Sequence, residues 1–143
     1  MNIIFYLKLY AVTVPVFFAI DLLWLGLIAR NLYRSNLGHL MSLNVNWTAA
    51  VVFYLMFIVG ILVFSVVPAL EKGSLASAVL YGGLFGLFTY ATYELTNMAT
   101  LTNWPLKLVF IDILWGVVLC SAVAAVSFSI GRRLLQALNR ESD

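Results

Sequence analysis

Charge is what this chain has least of. Lys, Arg, Asp and Glu make up 10% of its 143 residues while 64% are hydrophobic, against about 25% charged in a soluble domain. So little charge cannot cover a water-facing surface, and a soluble enzyme or a nucleic-acid binder is excluded on that ground. The net charge of +2 carries no basic, aromatic-interleaved stretch of the kind that tracks a nucleic-acid backbone. Cysteine is a single residue, Cys120, so no internal disulfide can form. Its neighbours Val118, Leu119 and Ala122 mark it as a small buried hydrophobe rather than a redox or metal thiol. Histidine is also single, His39 in a polar connection, where a solvated or headgroup-facing imidazole is expected. A metal site would then need carboxylates and water alone, and none is assigned. The chain has no nucleotide-binding loop, His-rich box or nucleophile constellation, so no cofactor is assigned either. Period-two alternation over about ten residues, which a transmembrane barrel needs, is absent as well.

What remains is long apolar runs. About 20 helical residues cross a hydrocarbon core of about 30 Å, and four stretches qualify: roughly 9–29, 47–67, 75–101 and 106–130. The expected fold is an all-α, integral-membrane four-helix bundle forming one domain over 1–143, with a polar tail at 131–143. The first run ends in Arg30-Asn31-Leu32-Tyr33 with no small-residue cleavage site, and reads as a retained signal anchor. Pro15 within it removes one backbone bond and frees the carbonyl near Ala11. Between runs one and two, Leu32, Tyr33, Leu37, Leu40 and Met41 share one side at helical spacing, which predicts a short interfacial helix. Asn46-Trp47-Thr48 matches a glycosylation sequon but abuts a span. Trp47 and Trp104 fit the aromatic belt. Pro68 and Gly73 are expected to end span two, Asn103 to cap span four, and Pro105 to sit in its first turn. Gly82 and Gly86 would let a neighbouring helix approach closely.

With four spans both termini share a face with the loop at 68–74. That face carries Lys8, Lys72, Arg132, Arg133 and Arg140, and the other carries Arg30, Arg34 and Lys107. The shallow bias favours cytoplasmic termini and leaves room for insertion in both orientations.

Asp21, Glu94 and Asp112 are three of only six acids, and all lie inside predicted spans. Asp21 is nine residues before Arg30, roughly 13 Å along a helix. Glu94 is seven before Leu101, about 10 Å, and Asp112 five after Lys107, about 8 Å. Three helices thus offer a carboxyl to the same half of the bilayer. A charge at the bilayer centre costs about 3 kcal/mol or more, so such residues face the bundle interior, a partner or a water-filled cavity. Three together cannot all stay ionised cheaply, and such a cluster is a candidate proton or ion site. Tyr90, Tyr93, Thr96, Asn97 and Thr100 could complete its hydrogen bonding, and Arg30, Arg34 and Lys107 are the candidate counter-ions. Gly86, Tyr90, Glu94, Asn97 and Leu101 form one stripe at 4-4-3-4 spacing. The plain alternative is that each acid only holds helices together by hydrogen bonding, worth about 0.6 kcal/mol per contact.

Two copies of Ile-Asp-x-Leu-Trp, at 20–24 and 111–115, place Trp24 on the face of Asp21 and Trp115 on that of Asp112. On antiparallel spans the copies would be related by an axis in the membrane plane, as in inverted-repeat transporters. The segments AIDLLWLGLIARNLYRSNLGHL, YATYELTNMATLTNWP and DILWG together resemble the small four-span bacterial membrane proteins of family DUF2177, a domain of unknown function. The resemblance covers nearly the whole chain. It implies a bacterial inner-membrane location and a four-helix architecture, and no activity or catalytic residue.

The leading functional expectation is a small proton- or cation-linked transporter or channel working as a homodimer. Asp21, Glu94 and Asp112 would be its site and Trp24 and Trp115 the walls, with a small solute, ion or lipid as partner. The alternatives are a membrane-embedded lipid-modifying enzyme or accessory factor, with paired carboxyls as acid and base, and a structural assembly protein.

Overall fold

A computed structural model describes residues 1–42 and 44–141. The described residues form helices α1 (Ile3–Leu23), α2 (Arg30–Leu37), α3 (Trp47–Ile61), α4 (Val67–Lys72), α5 (Leu75–Thr100) and α6 (Leu106–Glu141), with no strand among them. Four continuous helical stretches are long and apolar enough to cross a membrane: Ile3–Ile28, Trp47–Lys72, Leu75–Thr100 and Leu106–Leu138. The protein is therefore all-helical with four spans and sits in a lipid bilayer.

Helix starts follow side-chain capping, in which a short polar side chain accepts an otherwise unpaired backbone N–H. The Phe5 N–H donates to Asn2 at 3.0 Å, the Ala49 N–H to Asn46 at 3.0 Å and the Ser77 N–H to Ser74 at 3.2 Å. Asn46, the sequon asparagine, is thus used as a cap. Asn103 is not a cap: it stands in the turn before α6 with φ 60°, a left-handed conformation asparagine tolerates. The Pro105 carbonyl instead accepts the first α6 bond, from Leu108 at 2.9 Å.

Two spans contain a widened π-helical turn, Trp24–Ile28 and Leu62–Val66. The second explains why Pro68 does not end its span. Proline lacks the N–H that would bond four residues back. A wider turn just before it, closed by Val67 N–H to the Leu62 carbonyl, carries the helix through to Lys72. Gly73, at φ 65°, then makes the left-handed cap that ends it. Residues 131–141 continue α6, because Leu134, Leu135 and Leu138 supply an apolar face that packs on the core.

The packed core sits at the end of the bundle holding the termini and the Gly73 turn. Phe5, Leu9, Val66, Ala78, Val123 and Phe128 are buried there. In that half Thr13 bridges to α6, its hydroxyl 3.0 Å from Ser127 Oγ. α5 and α6 lie closest. A Cβ on Gly82 would stand 2.5 Å from the Cys120 carbonyl oxygen, and one on Gly86 2.0 Å from that of Gly116. The small-residue motif of span three thus receives span four of the same chain. At the opposite end α3 and α5 separate, and α2 lies across the gap with Leu32, Tyr33, Asn36 and Leu37 turned inward and Arg30, Arg34 and Ser35 outward.

Candidate functional site

The separation of α3 from α5 opens a cleft of about 860 Å³, within the about 300–1,000 Å³ range of small-molecule sites. Its walls are aromatic: Phe53, Tyr54 and Phe57 from α3 face Phe88, Tyr90 and Tyr93 from α5. Tyr33 and Leu37 of α2 close its end, and Asp112 of α6 is the single acid in its lining. Phe53, Phe88 and Tyr93 are exposed at its mouth, and because all three lie in spanning helices the mouth is on the side of the bundle. An inner chamber of about 100 Å³ adjoins it. Tyr33, Tyr54 and Tyr90 belong to both, while Asp21, Trp24 and Trp115 line only the chamber.

All three span acids are buried, with Glu94 fully enclosed and Asp21 and Asp112 each 5% exposed. Asp112 Oδ1 accepts from the Tyr33 hydroxyl at 2.5 Å. Burial first, and then the Asp112 carboxyl, push the Tyr33 phenol up from its ordinary value, so it stays protonated as a donor. Glu94 Oε2 accepts from the Trp104 indole N–H at 2.8 Å, while Glu94 Oε1 is buried without a partner. Glu94 and Asp112 lie near enough to act on each other across α5 and α6. Two carboxyls this close cannot both be ionised at low cost. Asp21 is set apart: its Oδ2 lies 3.4 Å from the Tyr54 hydroxyl, which donates to it. Tyr90 stands between the two acidic positions, with Asp21 and Asp112 both in its electrostatic surroundings. Its ring rests on Gly116, where a Cβ would come within 2.3 Å of it.

The two Ile-Asp-x-Leu-Trp copies meet at their tryptophans. Trp24 and Trp115 stack with centroids 4.4 Å apart and planes 7° from parallel. Trp115 lies near Asp21, and Trp24 lies near Tyr33, which donates to Asp112. Neither buried indole N–H has a hydrogen-bond partner among the described residues, and an unpaired buried donor costs about 1–3 kcal/mol.

The remaining candidate residues divide. Asn97 is half-buried beside Tyr93, on the Glu94 face. Thr96 and Thr100 are exposed on the helix surface, and Thr100 donates only to the Thr96 carbonyl. Arg30, Arg34, Lys107 and His39 are exposed. The groups acting on the three carboxyls are tyrosine, tryptophan and carboxyl, with no lysine or arginine among them. Three important neighbours were not singled out from the sequence as site residues: Tyr33, Tyr54 and Trp104. Tyr33 carried a signal, a phenol on the apolar side of an amphipathic segment. Trp104 reads as a belt residue, and only the turn before α6 brings it back over Glu94.

No curated protein and no solved structure matches this chain. A family pattern does: that of the predicted membrane proteins DUF2177, over residues 6–129. The matched stretch contains the acids, the paired tryptophans and the aromatic cleft, and the chain belongs to that family.

Proposed function

We propose that the protein is a small proton-linked transporter whose working centre is the Glu94–Asp112 pair, with Asp21 as a second acidic position in the adjoining chamber. One observation carries the reading: two buried carboxyls near each other and without a basic partner, one of which, Asp112, lines a cleft large enough for a ligand. Such a pair gains or loses a proton at modest cost as its surroundings change, which is the property a proton-coupled carrier uses. Four spans rarely enclose a whole pathway, so the working form is a homodimer. The shallow charge bias of the connections favours cytoplasmic termini, and the family resemblance favours a bacterial inner membrane.

The test is proton flux in liposomes under an imposed pH gradient. Wild type is expected to carry flux that Glu94→Gln and Asp112→Asn each reduce at least tenfold. Flux equal in all three folded proteins would remove the pair from the mechanism. A second reading, a lipid-modifying enzyme or accessory factor, is favoured by the sideways opening of the cleft, through which a headgroup could reach Asp112. It predicts a lipid that stays bound through purification and no flux in any variant.

A further inference from the structure

The cleft carries a charge asymmetry that selects among ligands. Its one ionisable acid, Asp112, is buried and lies near a second acid, Glu94. The cleft lining contains no Lys, Arg or His, and Arg30, Arg34 and Lys107 are exposed elsewhere. A buried carboxylate wants a cation or hydrogen-bond donors, and here the chain supplies one phenol and no cation. The walls around it are aromatic, and the negative quadrupole of an aromatic ring attracts a cation within about 6 Å, more so when it is desolvated. The same walls would repel an anion, and they offer a polar neutral group little beyond the hydroxyls of Tyr33, Tyr54 and Tyr90. Size and placement agree: the cleft is mostly apolar and opens on the side of the bundle, so its occupant partitions from the bilayer.

We infer that the cleft binds a lipophilic cation, its charged centre at Asp112 beneath Tyr33 and its apolar groups between Phe53 and Phe57 on one wall and Phe88 on the other. The inference names the ligand class for the site proposed above. It rests on that site being the working centre and not on transport.

The experiment is calorimetric titration of the purified full-length protein in a neutral detergent with tetraphenylphosphonium. Tetraphenylborate, of nearly the same shape and opposite charge, and neutral triphenylphosphine oxide serve as comparisons, with empty micelles as the blank. Saturable binding of the phosphonium is expected, at least tenfold tighter than either comparison. Asp112→Asn should weaken it at least tenfold. Thr92→Lys, which puts a positive charge in the cleft lining, should weaken the cation similarly and leave the neutral compound unaffected. That second variant decides the matter if Asp112→Asn does not fold, as judged by its thermal midpoint. No saturable cation binding, equal binding of all three probes, a preference for the neutral compound, or cation binding indifferent to the folded variants would overturn the inference. Flux in liposomes without cation binding would sink the ligand class alone. Cation binding without flux would sink the transport reading alone.

Discussion

Each of the three span carboxyls is held by an aromatic donor rather than by a base: Tyr33 on Asp112, Trp104 on Glu94 and Tyr54 on Asp21. Hydrogen bonds to such groups contribute about 1.5–3 kcal/mol when the acceptor is charged and about 1 kcal/mol when it is neutral. Tyr33→Phe keeps the ring and removes the donor, and is expected to lower stability by about 1–2 kcal/mol, read as a fall in thermal midpoint in detergent. Trp104→Phe leaves both oxygens of Glu94 without a protein donor. It is expected to cost about 1–3 kcal/mol, and Glu94→Gln made on that background should recover part of the loss. A double-mutant comparison that found the two changes additive would show that the indole does not act through Glu94. The acids themselves could be read from the sequence, because charge in an apolar run is conspicuous. Their partners could not: Tyr33, Tyr54 and Trp104 are ordinary in composition, and only packing aims their polar atoms.

At the scale of elements, the contact between α5 and α6 governs the site. Gly82 and Gly86 admit the backbone of α6, and that approach brings Glu94, two turns further along α5, near Asp112. Gly86→Ala would place a methyl group 2.0 Å from the Gly116 carbonyl oxygen. Overpacking of this kind costs typically about 1–3 kcal/mol, and here it should also separate the carboxyl pair. The expected result is a lower thermal midpoint together with weaker ligand binding, whereas Gly26→Ala, which meets nothing within 4 Å, should leave stability within about 0.5 kcal/mol of wild type. The glycine spacing was legible as a close-approach motif, yet nothing in it said which helix would come. The π-helical turns were not legible, since a one-residue widening has no distinctive composition. They matter all the same, because one carries α3 past Pro68 into α4 and the other sits directly after Asp21, where such turns often mark functional segments.

For the whole molecule the consequence is a bundle tight at one end and split at the other. The tight end holds the termini and Gly73, and the split end holds the cleft under α2. An even number of spans puts Asn2 and Ser74 on one side of the membrane and Ser42 on the other. Single cysteines at these three positions, probed on intact cells with an impermeant maleimide, should divide accordingly, with Asn2 and Ser74 protected together if the termini are cytoplasmic. Native Cys120 is fully buried and should stay unlabelled in the folded protein. Labelling of all three positions from outside would mean that the chain inserts in both orientations.

Class, helix number and the three acids came from the sequence unaided, because hydrophobic length and the cost of burying charge are local quantities that a linear reading can count. The amphipathic α2 and the repeated Ile-Asp-x-Leu-Trp were legible for the same reason, as periodicities. Only the tertiary structure decided that the two tryptophans stack, that Glu94 lies near Asp112 while Asp21 stands apart, and that α3 and α5 diverge to leave an aromatic cleft. Those outcomes depend on how closely helices approach and at what rotation. That is set by the summed fit of many weak contacts across the bundle, and no single segment contains it.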